Sequence, residues 1–267
     1  MNAYIFDVDG VITNPTSKKV EQPEILQKIA NLLSQNNFVA LNTGRSLTFV
    51  NEKVIEPLFE YISDKSKLEN FLAIGERGGT WSNFDKDTKI EHHKDNSIST
   101  PLDLQKQIKE LINKHYAKSM FYDNTKETMI STEMRDGFSI DEYELLQEKL
   151  VEQMIKLLNK MNLNQTLKID PTTIATDIEN KIVGKDFAIE RILEYIKEKG
   201  LHPREFIAFG DSSSDIPMAE KLYEQGVFVK LVYVGKRTFE ENNYPFPITF
   251  TKEKFDKGTL EYLTKLA

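Results

Sequence analysis

The sequence predicts an α/β protein: a parallel sheet covered by helices, with an α+β unit inserted into it. Three observations carry that expectation. Short, wholly apolar runs of strand length at residues 3–6, 38–41, 71–74 and 206–209 each stop at Asp, Asn or Gly. Helically spaced apolar residues and short connections separate the first three runs, which is the rhythm of strand–helix–strand units. That rhythm lapses at Thr80 and resumes at Lys185.

The first strand, Ala3-Tyr4-Ile5-Phe6, runs straight into Asp7-Val8-Asp9-Gly10-Val11. Pro23 opens a helix, a position where its missing N–H costs nothing, and Ile25, Leu26, Ile29, Leu32 and Leu33 form its apolar stripe. The second strand ends at Asn42-Thr43-Gly44-Arg45-Ser46, and a helix is expected over 47–61. The third ends at Gly75-Glu76-Arg77-Gly78-Gly79. Beyond it, residues 81–92 read as a hairpin, and Pro101 begins an amphipathic helix carrying Leu104, Ile108, Leu111 and Ile112. An extended segment at 129–132, a long helix over 141–161 and strands at 166–169 and 174–177 complete the insertion. Then come a helix over 185–199, the strand ending at Gly210-Asp211, a helix over 216–223, a strand over 227–234 and a closing helix over 258–266. The expected division is a core of residues 1–79 and 184–267 and an inserted domain of 80–183, hinged near Gly78-Gly79 and Val183-Gly184.

Composition narrows the functional classes. At 267 residues the chain holds one large domain or two modest ones, and 39% hydrophobic with 29% charged residues is an ordinary soluble profile. No apolar run approaches the roughly 20 residues of a membrane helix, and no basic leader precedes the first strand, so a cytoplasmic protein is expected. The absence of cysteine excludes disulfides, thiolate metal sites and a cysteine nucleophile. A net charge of −7 argues against duplex nucleic acid as a partner, and oligomeric state is left open.

The chemistry concentrates at strand ends. Ionised carboxylates where a buried strand stops need a partner, and a metal ion is the usual one. Residues two apart on a strand face the same way, so Asp7 and Asp9 converge above its carboxyl end, where open α/β sheets bind ligands. Alone, this stretch reads better as an acidic surface turn. An EF-hand fits worse, because Gly10 follows Asp9 directly and no helix precedes it. With Thr43-Gly44-Arg45 and Gly210-Asp211-Ser212-Ser213-Ser214-Asp215 on the same edge, four carboxylates and a hydroxyl gather there. Such an all-oxygen set suits a hard cation such as Mg²⁺. Lys185, at a helix start, supplies positive charge for a phosphate, with Lys181 its rival. Singly, Thr43 or Ser46 is a helix cap, Lys185 a solvated lysine and Gly210-Asp211 a turn. The chemical reading rests on their occurring together.

In order and residue type, Asp7-Val8-Asp9-Gly10-Val11, Thr43-Gly44-Arg45, Lys185 and Gly210-Asp211 with Asp215 resemble the four motifs of the haloacid dehalogenase-like hydrolases. The insertion resembles the α+β cap of that family's sugar-phosphatase branch, and Met129–Ser139 is similar to the substrate-binding segment of phosphomannomutases. The resemblance implies a Rossmann-like core and a Mg²⁺-dependent phosphatase acting on a small phosphorylated metabolite, a sugar or polyol phosphate. Asp7 would be the nucleophile and Asp9 the acid and base. Thr43, Gly44 and Lys185 would bind phosphate. Asp7, Asp211 and the main-chain carbonyl of Asp9 would hold metal, with Asp215 behind Lys185 or a metal-bound water, and Arg135 would contact substrate. Arg77 departs from the pattern, standing where the family often has Asn, and Val234-Gly235-Lys236-Arg237 replaces another stretch of it. His92-His93 reads as surface, since adjacent strand residues point to opposite faces. A phosphohexomutase and a non-catalytic regulatory protein are the alternatives.

Overall fold

The computed structural model describes every residue except 86, 88, 241, 242 and 267. It divides into two compact units, residues 1–93 with 184–267, and residues 94–183.

The first unit begins with β1 (Ala3–Phe6), α1 (Pro23–Ser34) and β2 (Phe38–Asn42). Next come α2 (Leu47–Val50), a π-helical stretch Asn51–Ile55, α3 (Glu56–Leu58) and a closing 3₁₀ turn. The sequence leads one to expect a single helix over 47–61. Pro57, which has no N–H to give, falls in that span and the hydrogen-bond ladder changes register around it. β3 (Phe71–Gly75), β4 (Thr80–Phe84) and β5 (Ile90–Lys94) follow.

The second unit contains α4 (Leu102–Leu111), β6 (Met120–Tyr122), β7 (Ile130–Met134), α5 (Ile140–Lys160), β8 (Leu167–Pro171) and β9 (Ala175–Asn180). Its strands form an antiparallel sheet in the order β6-β7-β9-β8. Leu104 and Ile108 of α4 and Tyr143, Leu150 and Met154 of α5 pack with Ile130 and Ile178 of that sheet. The chain returns to the first unit with α6 (Lys185–Glu198), β10 (Phe206–Gly210), α7 (Ile216–Glu224), β11 (Val229–Tyr233), β12 (Ile248–Phe250) and α8 (Asp256–Lys265).

The large sheet runs β12-β11-β10-β1-β2-β3-β4-β5. The strands from β12 to β3 are parallel to their neighbours, and β4 is antiparallel to β3. β1, β2, β3 and β10 are buried along their whole length, as strands covered on both faces must be. Tyr4 and Phe6 face the layer containing α1 and α8, while Ala3 and Ile5 face α6 and α7. Phe6 stacks on Phe209 at 4.4 Å between centroids, locking the two central strands side by side. The expected α/β class with helices on both faces is present.

One boundary differs from the expectation. The hairpin assigned to the insertion continues the core sheet, because β4 pairs with β3 from Leu72–Asn83 to Gly75–Thr80 and satisfies its backbone there. The first crossing between units therefore follows His93 rather than Gly79, and the second falls between Val183 and Gly184. Among the described residues no helix is long and apolar enough to cross a membrane.

Candidate active site

Register fixes which residues meet. Phe6 lies opposite both Phe209 and Leu41, so Asp7, Gly210 and Asn42 emerge together at the carboxyl edge of the central strands. The Asp7 N–H still donates to the Phe209 carbonyl at 3.0 Å, which keeps the first carboxylate in line with its strand. Past it, the chain turns sharply. Gly10, at φ 75°, gives its N–H to Thr13, and a Cβ at this glycine would overlap the Asp211 carboxylate. The turn after β1 and the acidic loop after β10 therefore touch, and only glycine permits it.

Asp7, Asp211 and Asp215 each place a carboxylate oxygen within 4.8 Å of the others. Lys185 Nζ sits among them, 2.5 Å from Asp7 and 2.7 Å from Asp215. The position of Lys185 is set by Asn42, whose buried side chain donates to the Lys185 carbonyl at 2.9 Å and ties the start of α6 to the end of β2. Asp215 is fully buried, and its other oxygen accepts from the backbone N–H of Asp211 and Ser212 and from the Ser212 hydroxyl. It holds both the lysine and the acidic loop.

The electrostatics of this cluster are short of positive charge. Burial pushes the Asp7 carboxyl up to about 8, with Asp215 and Asp211 adding to the rise and Lys185 opposing it. Burial, then Asp215, raises Asp211 to about 7. Burial would lower the Lys185 ammonium, but Asp215 and Asp7 reverse this and raise it, so it stays charged. Crowded, desolvated carboxylates of this kind are what a hard divalent cation relieves, and the donor set is all oxygen. Asp7 and Asp211 fit such an ion. Asp215 completes the cluster, but both of its oxygens are engaged, one by Lys185 and the other by the Asp211 and Ser212 N–H groups.

Asp9 stands apart from that trio. Its carboxylate takes the Arg45 guanidinium at 2.7 Å (Nε to Oδ2) and 3.4 Å (Nη2 to Oδ1), with Lys18 at 3.5 Å. Burial raises its pKa, and Arg45 followed by Lys18 outweighs burial, holding it below the ordinary carboxylate value. Thr43, buried at the end of β2, accepts from the Arg45 N–H through its hydroxyl at 3.1 Å. Ser46 caps α2 by accepting from Phe49. Asn42, Arg45 and Lys18 hold the site's groups in place, and the motifs alone do not mark them for that role. The signal for Asn42 was a polar residue closing a fully buried strand.

No family model matches the chain, and no curated protein does. Solved structures do. A trehalose-6-phosphate phosphatase from Aspergillus fumigatus matches at 17% identity over 100% of this chain and 93% of its own, with a TM-score of 0.56. The C-terminal domain of trehalose-6-phosphate phosphatase from C. albicans matches at 16% identity over 99% and 92%, with a TM-score of 0.64. An N-terminally truncated IMP-nucleotidase from Plasmodium falciparum matches at 14% identity over 100% of this chain and 70% of its own, with a TM-score of 0.58. The chain shares the overall fold of these phosphatase and nucleotidase structures.

The remaining candidates lie elsewhere. Arg135 is an exposed residue of the second unit, where its Nε donates to the Ala117 carbonyl at 2.6 Å and its guanidinium lies 5.9 Å from the centre of the Phe121 ring. Lys181, the rival of Lys185, is also in that unit and donates to the Asn164 carbonyl at 2.8 Å. His93 stacks on Trp81 at 5.2 Å, and neither it nor His92 joins a metal-binding group among the described residues. Arg237, exposed, pairs with Glu240 at 2.7 Å. Its neighbour Gly235 packs against the Asp211 backbone, where a Cβ would overlap the carbonyl.

Proposed function

We propose that the protein is a Mg²⁺-dependent phosphatase that hydrolyses a small phosphorylated metabolite, a sugar or polyol phosphate, through an aspartyl-phosphate. The observation that carries this reading is the Lys185 ammonium held between Asp7 and Asp215 at the edge where Asp211 and Thr43 also emerge. Asp7, Asp211 and the main-chain carbonyl of Asp9 would hold the cation. When bound, it neutralises carboxylate charge and polarises the phosphoryl group.

Asp7 attacks phosphorus, forming an acyl-phosphate bond as the ester P–O bond breaks. The departing alkoxide takes a proton from Asp9, and Asp9 then removes a proton from the water that cleaves the acyl-phosphate, freeing Asp7 and inorganic phosphate. Paired with Arg45 and Lys18, Asp9 is ionised and suited to the second step. To serve the first it takes up a proton, which loosening of that pair favours because burial then dominates. The Thr43 hydroxyl, the Gly44 backbone and Lys185 bind the phosphoryl oxygens, where charge spreads in the transition state. Asp215 keeps Lys185 in place. Residues 94–183 act as a cap that selects the substrate. The contacts of Arg135 give a phosphohexomutase no support.

The test is a screen of phosphorylated metabolites with Mg²⁺, run on wild type and Asp7→Asn. Wild type is expected to release phosphate from at least one sugar or polyol phosphate, and Asp7→Asn to lose on the order of 10³-fold or more in turnover. Equal turnover by the two would remove the covalent mechanism, and no release by wild type would remove the phosphatase.

A further inference from the structure

Phe255, the residue before α8, has φ 58° and ψ −138°. Glycine adopts that backbone freely, whereas a bulky side chain there is strained. Of the non-glycine residues at positive φ among those described, Phe255 alone is apolar. Strain of this kind persists where surrounding contacts impose it, and it gathers where ligands are gripped. The contact that imposes it here is short: the Phe255 N–H donates to the Val234 carbonyl at 2.7 Å. Val234 in turn gives its N–H to the Gly210 carbonyl at 2.9 Å, and Gly235 packs on the Asp211 backbone. The strained residue is thus built onto the acidic loop, at the carboxyl edge of the sheet.

Core packing does not account for the ring. Phe255 is partly exposed, and among the described residues it neither joins nor packs against any of the three apolar cores, unlike Leu260 and Tyr262 further along the chain. The backbone alone would be better served by glycine. We infer that the Phe255 ring is a platform for the substrate, stacking on the face of a cyclic sugar whose phosphate is bound at Asp7. A ring sugar presents C–H groups on a flat face, which a planar apolar ring covers while the hydroxyls stay in water. An open-chain polyol has no such face. This inference rests on the phosphatase reading and narrows its substrate to the ring form of a sugar phosphate.

Steady-state kinetics of the full chain with Mg²⁺ test it, on the terminal phosphates of glucose and mannose and on those of sorbitol and mannitol, their open-chain counterparts. The proteins are wild type, Phe255→Gly, Phe255→Leu and Phe255→Tyr. Glycine accepts the backbone and removes the ring, leucine keeps apolar bulk without a flat face, and tyrosine keeps the ring. Wild type is expected to favour the ring sugars in kcat/KM by about tenfold. Phe255→Gly and Phe255→Leu should lose that preference through a higher KM for the ring sugars, with kcat within about twofold of wild type, and Phe255→Tyr should keep it. A preference unchanged in Phe255→Gly overturns the inference. So does an equal loss on ring and open-chain substrates, the mark of a ring that only steadies the acidic loop. If wild type releases phosphate from other esters but does not favour the ring sugars, this inference falls and the phosphatase reading stands. If it releases phosphate from nothing, both fall.

Discussion

Asp9 and Arg45 form a two-point ion pair across the turns after β1 and β2, with Nε–Oδ2 at 2.7 Å and Nη2–Oδ1 at 3.4 Å. The pair holds the Asp9 carboxyl below its ordinary value of 3.8 against the pull of burial. An acid whose folded pKa is lowered stabilises the protein above its unfolded value, and that contribution is lost as pH falls through the folded value. Arg45→Gln is therefore expected to cost about 1–3 kcal/mol at neutral pH, a deficit that closes as the medium is acidified below 3.8. Repeated in an Asp9→Asn background, the same substitution should cost less. Denaturant unfolding of the four proteins gives the coupling directly.

Asp7 and Asp211 behave oppositely. With folded values of about 8 and about 7 against 3.8 unfolded, the folded, metal-free protein binds more protons than the unfolded chain across that interval. Its stability should fall as pH rises from 3.8 toward 8, and level off above. Mg²⁺ competes with those protons, so added Mg²⁺ should raise the melting temperature more at the alkaline end of that range than at the acid end. Melting curves at several pH values, with Mg²⁺ and with a chelator, measure both trends. A Mg²⁺ effect independent of pH would place the ion away from these carboxylates.

Much of this arrangement was legible in the chain. β1, β2, β3 and β10 are continuous apolar runs because both faces of each are covered, and polar residues interrupt them where the sheet meets solvent. Asp7, Thr43 and Asp211 were thus placed on one edge by the strand pattern. The membership of β4 and β5 was not legible. Ile90–Lys94 is largely exposed, and its place in the large sheet comes from pairing, which no local pattern encodes. Nor was the partner of Asp9: Arg45 carries no mark that separates pairing with a carboxylate from binding phosphate. The short strands β6 and β12, three residues each, fall below the length at which periodicity speaks.

Gly235 controls the acidic loop from outside the recognised motifs. Its Cα packs so closely on Asp211 that a Cβ would overlap the Asp211 carbonyl, and backbone, unlike a flexible side chain, cannot swing aside. Gly235→Ala is expected to displace Asp211, weaken Mg²⁺ binding and lower phosphatase turnover about a hundredfold. The cost in stability should be only about 1–3 kcal/mol, the usual toll of overpacking. Mg²⁺ titration and unfolding of the same variant separate the two effects. Unchanged Mg²⁺ affinity would mean the loop has room that its packing does not show.

Asp256, at the start of α8, is 2% exposed, and its Oδ2 is buried without a hydrogen-bond partner among the described residues. Burial raises its pKa, with backbone hydrogen bonds and Lys257 opposing and Glu21 adding to the rise. The folded state therefore favours the protonated acid, and the protein loses stability as pH climbs from 3.8 toward the raised value. Asp256→Asn removes the ionisation while keeping the shape. The variant should melt at the same temperature as wild type in acid and a few degrees higher once the wild-type carboxyl is forced to ionise. Paired melts across the pH range decide it, because a carboxylate held by an ionic partner would give the reverse: a variant less stable than wild type, and increasingly so as pH rises.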